Sequence, residues 1–401
     1  MLVKNITMLG HKDHGKSTLI GSILMLTKSV SDARVSEAKK YSQKLGKPFE
    51  PAFILDSFEE EREGGLTIDT TRAEAKYKDM AFEMIDVPGH EELIKNMMSG
   101  ASFADTAVLL VSAKPDEGIR DQTKRHVFIA KMLGIEKLVV AINKMDAVGY
   151  DSNRYKEISS EISSFLKKID FGSAIFVPIS AYNGENIIRK SSKMKWYKGK
   201  PLLEALYSMA SSNSKARGKE LRAIVQGQID PTSSSTLGIK VLSGILRSGK
   251  TRVFPQKIER NVLRIIVNGK KVAKATAGES AAIEVDKPIE NPRGSVLAEG
   301  EPIIGDKINA MVFSAARLGS KSKLSLRILG NEVNAKIKIK EVIDASSGEK
   351  RQGKSIPALN AGIVEIKLAK PIAFEKYSKV KELGRFTFYI GKRFGGVGIV
   401  V

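Results

Sequence analysis

Cysteine is absent from all 401 residues, which excludes disulfide scaffolding, thiolate metal centres and thiol catalysis. Histidine occurs four times, as His11, His14, His90 and His126, and that scarcity excludes a histidine-rich metal site. No stretch of about 18 apolar residues is present, so no membrane span is expected. The opening Met-Leu-Val-Lys reads as the start of a strand rather than a signal peptide. These absences together lead to the expectation of a cytoplasmic protein without a membrane partner. Acidic residues are also in deficit, 45 against 66 Lys and Arg, for a net charge of +21. The excess is uneven. Residues 221–401 hold 32 basic and 16 acidic residues, a net of +16, which leaves +5 for residues 1–220. A field of that sign favours a polyanion, with RNA the natural candidate.

What is present begins with Gly10-His11-Lys12-Asp13-His14-Gly15-Lys16-Ser17, directly after the apolar run Leu2 to Leu9. It fits the phosphate-binding pattern G-x-x-x-x-G-K-S/T, which follows a buried strand and opens a helix, here with Thr18. Glycines let backbone N–H groups face an anion, and the helix dipole adds positive potential. In this reading the loop from His11 through Asp13, His14 and Gly15 wraps a nucleoside triphosphate. Lys16 reaches its β- and γ-phosphates, and the Ser17 hydroxyl ligates Mg²⁺.

Three further strand ends narrow the ligand. Phe82 to Asp86 reads as a strand closing on Asp86-Val87-Pro88-Gly89, a place where a carboxylate can hold Mg²⁺ through water and the Gly89 N–H can sense a γ-phosphate. Leu138 to Ile142 delivers Asn143-Lys144-Met145-Asp146. A carboxylate at Asp146 can accept both N1–H and the exocyclic amine of guanine, a donor pair that adenine lacks. Val177-Pro178-Ile179 ends on Ser180-Ala181, whose backbone N–H groups are expected near the guanine oxygen. The expected ligands are GTP and GDP with Mg²⁺.

Residues 1–210 alternate strands and helices, as in an α/β domain with a mostly parallel, doubly wound sheet. Segment 191–200 is a polar, lysine-rich excursion, and residues 211–219 form a serine-containing linker. Beyond it the period becomes two, with glycine turns. Two antiparallel β-barrel domains are expected over 220–306 and 307–401.

The chain resembles translational GTPases of the elongation factor Tu and elongation factor 1-alpha family, in its archaeal and eukaryotic branch. The resemblance is carried by the phosphate loop, Glu61-Arg62-Glu63-x-Gly65-x-Thr67-Ile68, Asp86-x-Pro88-Gly89-His90, Asn143-Lys144-Met145-Asp146 and Ser180-Ala181. Met194 to Gly199 and Leu202-Leu203-Glu204 add to it. The likeness implies a GTPase in which Thr67 closes over Mg²⁺ and the γ-phosphate and His90 orients the attacking water. It also implies the ribosome as activator, aminoacyl-tRNA or a tRNA-mimicking protein as cargo, and a nucleotide exchange factor as partner. Lys12 departs from the family's apolar, usually valine, gate residue, and Gly64 from its arginine. The second barrel lacks the His-Thr-rich strand presented to the tRNA acceptor stem. Two alternatives stand beside elongation. One is the GTPase subunit of sulfate adenylyltransferase, which Gly118 to His126 and Leu359 to Phe374 resemble. The other is a ribosome-rescue or termination GTPase.

Overall fold

Ile6 to Leu9 are buried on both sides of their strand, the pattern of a parallel strand covered by helices on each face. They form the end of β1 (Leu2–Leu9) in a computed structural model that describes residues 2–44, 46, 48–55, 71–86, 106–211, 220–229 and 235–401. The chain divides into two compact units, residues 1–212 with 345–349, and residues 213–344 with 350–401.

The first unit is built on a six-stranded sheet. Its strands are β1, β2 (Thr71–Tyr77), β3 (Met80–Asp86), β4 (Thr106–Ser112), β5 (Lys137–Asn143) and β6 (Ser173–Pro178). Their order is β2-β3-β1-β4-β5-β6. β1 runs parallel to β3 on one side and to β4 on the other. The chain therefore leaves β1 at a switch point, where a crevice opens beyond the carboxyl ends of the strands. Only β2 runs against its neighbour within this sheet, pairing antiparallel with β3.

Among the described residues, five helices accompany the sheet: α1 (Lys16–Leu26), α2 (Asp32–Lys44), α3 (Asp121–Met132), α4 (Ser152–Lys168) and α5 (Leu202–Ser211). α4 shows why such segments are helical. Asp151 caps its first turn by accepting from the Asn153 and Arg154 amides at 2.9 and 3.4 Å, and Ile158, Ile162, Phe165 and Leu166 form one buried stripe. On α1, Leu19, Ile20, Ile23 and Leu24 join Met8, Val108, Leu110, Leu203 and Leu206 in the core.

The segment from residue 211 is helical at its first position, because α5 continues to Ser211. The lysine-rich excursion is pinned by its aromatics. Trp196 Nε1 donates to the Tyr150 carbonyl at 3.0 Å, and the Tyr197 hydroxyl donates to the Phe176 carbonyl at 2.9 Å.

The second unit contains two closed antiparallel barrels. In the first, a seven-stranded sheet closes where Gly249–Phe254 pairs with Ile258–Val267. In the second, closure is between Leu324–Ile328 and Asn331–Ile343. The expected boundary at 306/307 falls inside the strand Ile303–Ser314, at a bulge between Gly305 and Lys307. Leu242, Phe254, Val296 and Ala298 of the first barrel share a core cluster with Ile308, Val312, Val364 and Phe374 of the second.

One buried ion pair also joins the barrels. Arg222 and Glu375 are 1% and 3% exposed, with the Arg222 Nε to Glu375 Oε1 distance 2.8 Å. Arg222 further donates to the carbonyls of Leu221, at 2.9 Å, and of Glu299. Burial on this scale is tolerated only because each donor has an acceptor.

Candidate nucleotide site

The phosphate loop leaves β1 through residues that only glycine satisfies. Gly10 has φ +134°, and a Cβ there would lie 2.6 Å from the Leu110 carbonyl oxygen. Gly15 has φ +88°, and a Cβ there would meet Asn143 Nδ2 at 2.7 Å. Between them a single 3₁₀ turn, Lys12–His14, is capped by His11, whose Nδ1 accepts from the Asp13 amide at 3.4 Å. α1 then begins with no acidic residue in its first turn and no side-chain cap, so its terminal amides and dipole are left for an anion. Lys16 lies over the loop, its ammonium 3.3 Å from the Gly10 carbonyl and 3.5 Å from that of His11. Ser17 is exposed on the first turn, beside half-buried Thr18.

His14 points inward instead. Its ring is buried, and burial lowers its pKa. The neutral imidazole donates from Nδ1 to the Leu110 carbonyl at 3.0 Å, so His14 ties the loop to β4. The ring is thus turned into the sheet.

Asn143 connects the remaining parts. Its Nδ2 donates to the His14 carbonyl at 2.9 Å, and its Oδ1 accepts from the Ala181 amide at 2.8 Å. The loop after β6 is thereby drawn to the phosphate loop. The Ser180 amide is also engaged, by the Glu185 carbonyl at 3.2 Å. Both N–H groups thus have partners within the protein, and the Ala181 amide holds Asn143. Lys144 follows with φ +61°, and Asp146 is half-buried in the 3₁₀ turn Met145–Val148.

The register sets Asp86 opposite Met8 across the β1–β3 pair, at the same sheet edge as the loop. The side chains of Asp86 and Lys12 lie outside the description, as do Gly64, Thr67, Gly89 and His90. Ser17 and an Asp86 carboxylate are both hard oxygen donors of the kind Mg²⁺ takes. The glycine cradle and uncapped helix end fit a phosphate chain.

Sequence reasoning missed Glu117. Its carboxylate receives the Lys144 ammonium at 2.9 and 2.6 Å. Burial would raise its pKa, but hydrogen bonds from Lys144 and Ser112 outweigh burial and hold it at about 2. No motif contains this residue. Its only sequence signal is a charged turn, Pro115-Asp116-Glu117-Gly118, following a buried strand.

A family model for the elongation factor Tu GTP binding domain matches residues 1–212. The elongation factor 1-alpha of Aeropyrum pernix is 34% identical, over 99% of this chain and 95% of its own length. The chain belongs to the elongation factor 1-alpha family. A second model, GTP-eEF1A C-terminal domain-like, matches residues 307–401. The elongation factor 1-alpha of Saccharolobus solfataricus is 35% identical, over 99% of this chain and 96% of its own. Among solved structures, sup35 complexed with GMPPNP covers 100% of this chain and 94% of its own at 24% identity, with a TM-score of 0.44. Membership in this family makes the chain a GTP-binding switch of the translation elongation factor kind. Among the described residues, no helix is long and apolar enough to cross a membrane.

Proposed function

We propose that the chain hydrolyses GTP with Mg²⁺ and carries aminoacyl-tRNA, or a protein that mimics tRNA, to the ribosome. The observation that carries the nucleotide part is the Asn143 bridge. It brings the phosphate loop and the loop after β6 to one sheet edge, with Asp146 three residues further along. In this reading Lys16 meets the β- and γ-phosphates, Asp146 selects guanine, and Ser17, Thr67 and Asp86 serve Mg²⁺. Bound Mg²⁺ supplies charge neutralisation at the phosphates. Gly89 reads the γ-phosphate, and His90 orients water for in-line attack.

The cargo reading rests on a groove of about 770 Å³ in the second barrel, lined by Lys321, Lys323, Lys336 and Lys367 with Ser320 and Ser322. Lys336 and Lys367 stand directly opposite each other on neighbouring strands. Facing like charges destabilise a sheet, and Asp306 offsets only one of them, Lys367. Phosphodiesters of RNA would relieve the rest. The names of the relatives favour elongation over sulfate activation.

Capture from native lysate, with the protein held by a non-hydrolysable GTP analogue, tests the cargo. Charged tRNA is the expected catch, and its retention should fall steeply with salt as counterions are released. Recovery of a release- or rescue-like protein in its place would move the reading to quality control. Recovery of an adenylyltransferase subunit, with no affinity for ribosomes or tRNA at low ionic strength, would overturn translation.

Turnover gives a separate expected result. His90→Ala should lower ribosome-stimulated hydrolysis by about two decades or more with GTP affinity nearly intact, because a positioned group acts on the transition state. Single-turnover kinetics decide it. An unchanged stimulated rate removes His90 from catalysis.

A further inference from the structure

Lys144 is fixed from both ends. Its backbone is left-handed, φ +61° and ψ +32°, a region that residues bearing a Cβ occupy at a cost. Its ammonium is held by both oxygens of Glu117, whose side chain is 15% exposed. The turn that carries Glu117 is itself clamped. Arg154, from α4, donates to the Ala113 carbonyl at 2.9 Å, and Arg120 donates to the Glu117 and Asp116 carbonyls at 3.2 and 3.3 Å. Gly118, at φ +35°, closes the turn with its amide 3.1 Å from the Lys114 carbonyl. A surface ion pair needs none of this support. A half-buried carboxylate on a clamped turn, with a further hydrogen bond from Ser112, has its position set in part independently of the lysine it holds.

We propose that Glu117 is a positioning residue for nucleotide binding, holding the Lys144 ammonium so that the lysine's methylene stem stands as a fixed wall of the guanine site. This rests on the guanine-nucleotide reading above. A lysine stem is apolar along its length and loses much rotamer freedom when ordered. With Glu117 in place that ordering precedes binding, so bound nucleotide is released more slowly. Glu117 also neutralises the ammonium, which would otherwise stand uncompensated beside an uncharged purine. Because the wall faces the base, its effect should be the same for GDP and GTP. A contact to the γ-phosphate would separate the two.

The test is stopped-flow release of N-methylanthraniloyl-labelled GDP and GTP from the full chain. Glu117→Ala should speed release about tenfold for both nucleotides, the scale of one long side chain left to be ordered on binding. Glu117→Gln keeps the shape and one acceptor, tolerates the fold better, and should speed release about threefold by losing the charge-assisted half of the grip. In a Lys144→Met background, Glu117→Ala should add nothing further. Unchanged release in either Glu117 variant overturns the proposal. So does a Glu117→Ala effect that persists in full in the Lys144→Met background, since the carboxylate would then act only by shaping its own turn. A native chain that binds no guanine nucleotide would instead overturn the guanine reading, which keeps the two failures apart.

Discussion

Asp146→Asn is expected to weaken GTP and GDP binding by about a thousandfold while raising affinity for xanthosine nucleotides. The native carboxylate can accept from two adjacent N–H groups of guanine at once. Charge-assisted hydrogen bonds of this kind are worth about 1.5–3 kcal/mol each, so losing one and weakening the other reaches that scale. Asparagine can present one acceptor and one donor, and that pair matches the carbonyl and ring N–H of xanthine. Calorimetric titration of the native protein and the variant with GTP, ATP and xanthosine triphosphate reads the exchange directly. Equal ATP and GTP affinity in the native protein would remove Asp146 from base selection.

Removing the acidic half of the buried pair in the barrel unit should cost comparably in stability. Glu375→Ala leaves the Arg222 guanidinium, 1% exposed, without its carboxylate. Breaking a buried pair from one side typically costs about 3–5 kcal/mol. Lys379, 3.2 Å from Glu375, loses the same partner but is exposed and adds little. Glu375→Gln keeps an acceptor toward Arg222 and should cost less. Denaturant unfolding followed by a probe in the barrels gives the comparison, analysed separately from the nucleotide-binding unit because two units need not unfold together. If Glu375→Ala unfolds at the native midpoint, the pair does not hold the barrels.

The parts of this molecule legible in the sequence are those encoded by local spacing. The phosphate loop is a contiguous pattern, and β4 and β5 are uninterrupted apolar runs. The barrels alternate with period two. β2 was harder to foresee, since from Arg72 to Tyr77 it fully buries only the small Ala73 and Ala75 and turns through Lys78 at φ +55°, where glycine or asparagine is the usual sign. The end of α5 was hidden by serines that read as linker. Ser211 in fact donates to the Tyr207 carbonyl at 2.7 Å within the helix. In the site, Asp146 and Asn143 were placed by motif, but the occupied amides of Ser180 and Ala181 were not. Their partners come from Glu185 and from a different strand end. Glu117 was invisible for the same reason, as its meaning depends on a lysine 27 residues away.

Asn143 spans sequence separations of 129 and 38 residues with one planar amide, and such an arrangement behaves as a latch with two handles. A push on the turn after Ser180 would rotate the amide and withdraw Nδ2 from the His14 carbonyl. The phosphate loop would then loosen from behind, without any group entering the crevice to compete with phosphate. A push on the phosphate loop would run the other way and free the Ala181 amide. On the guanine-nucleotide reading proposed above, a displacement at either end would be felt at the other, because both are tied to the same few atoms.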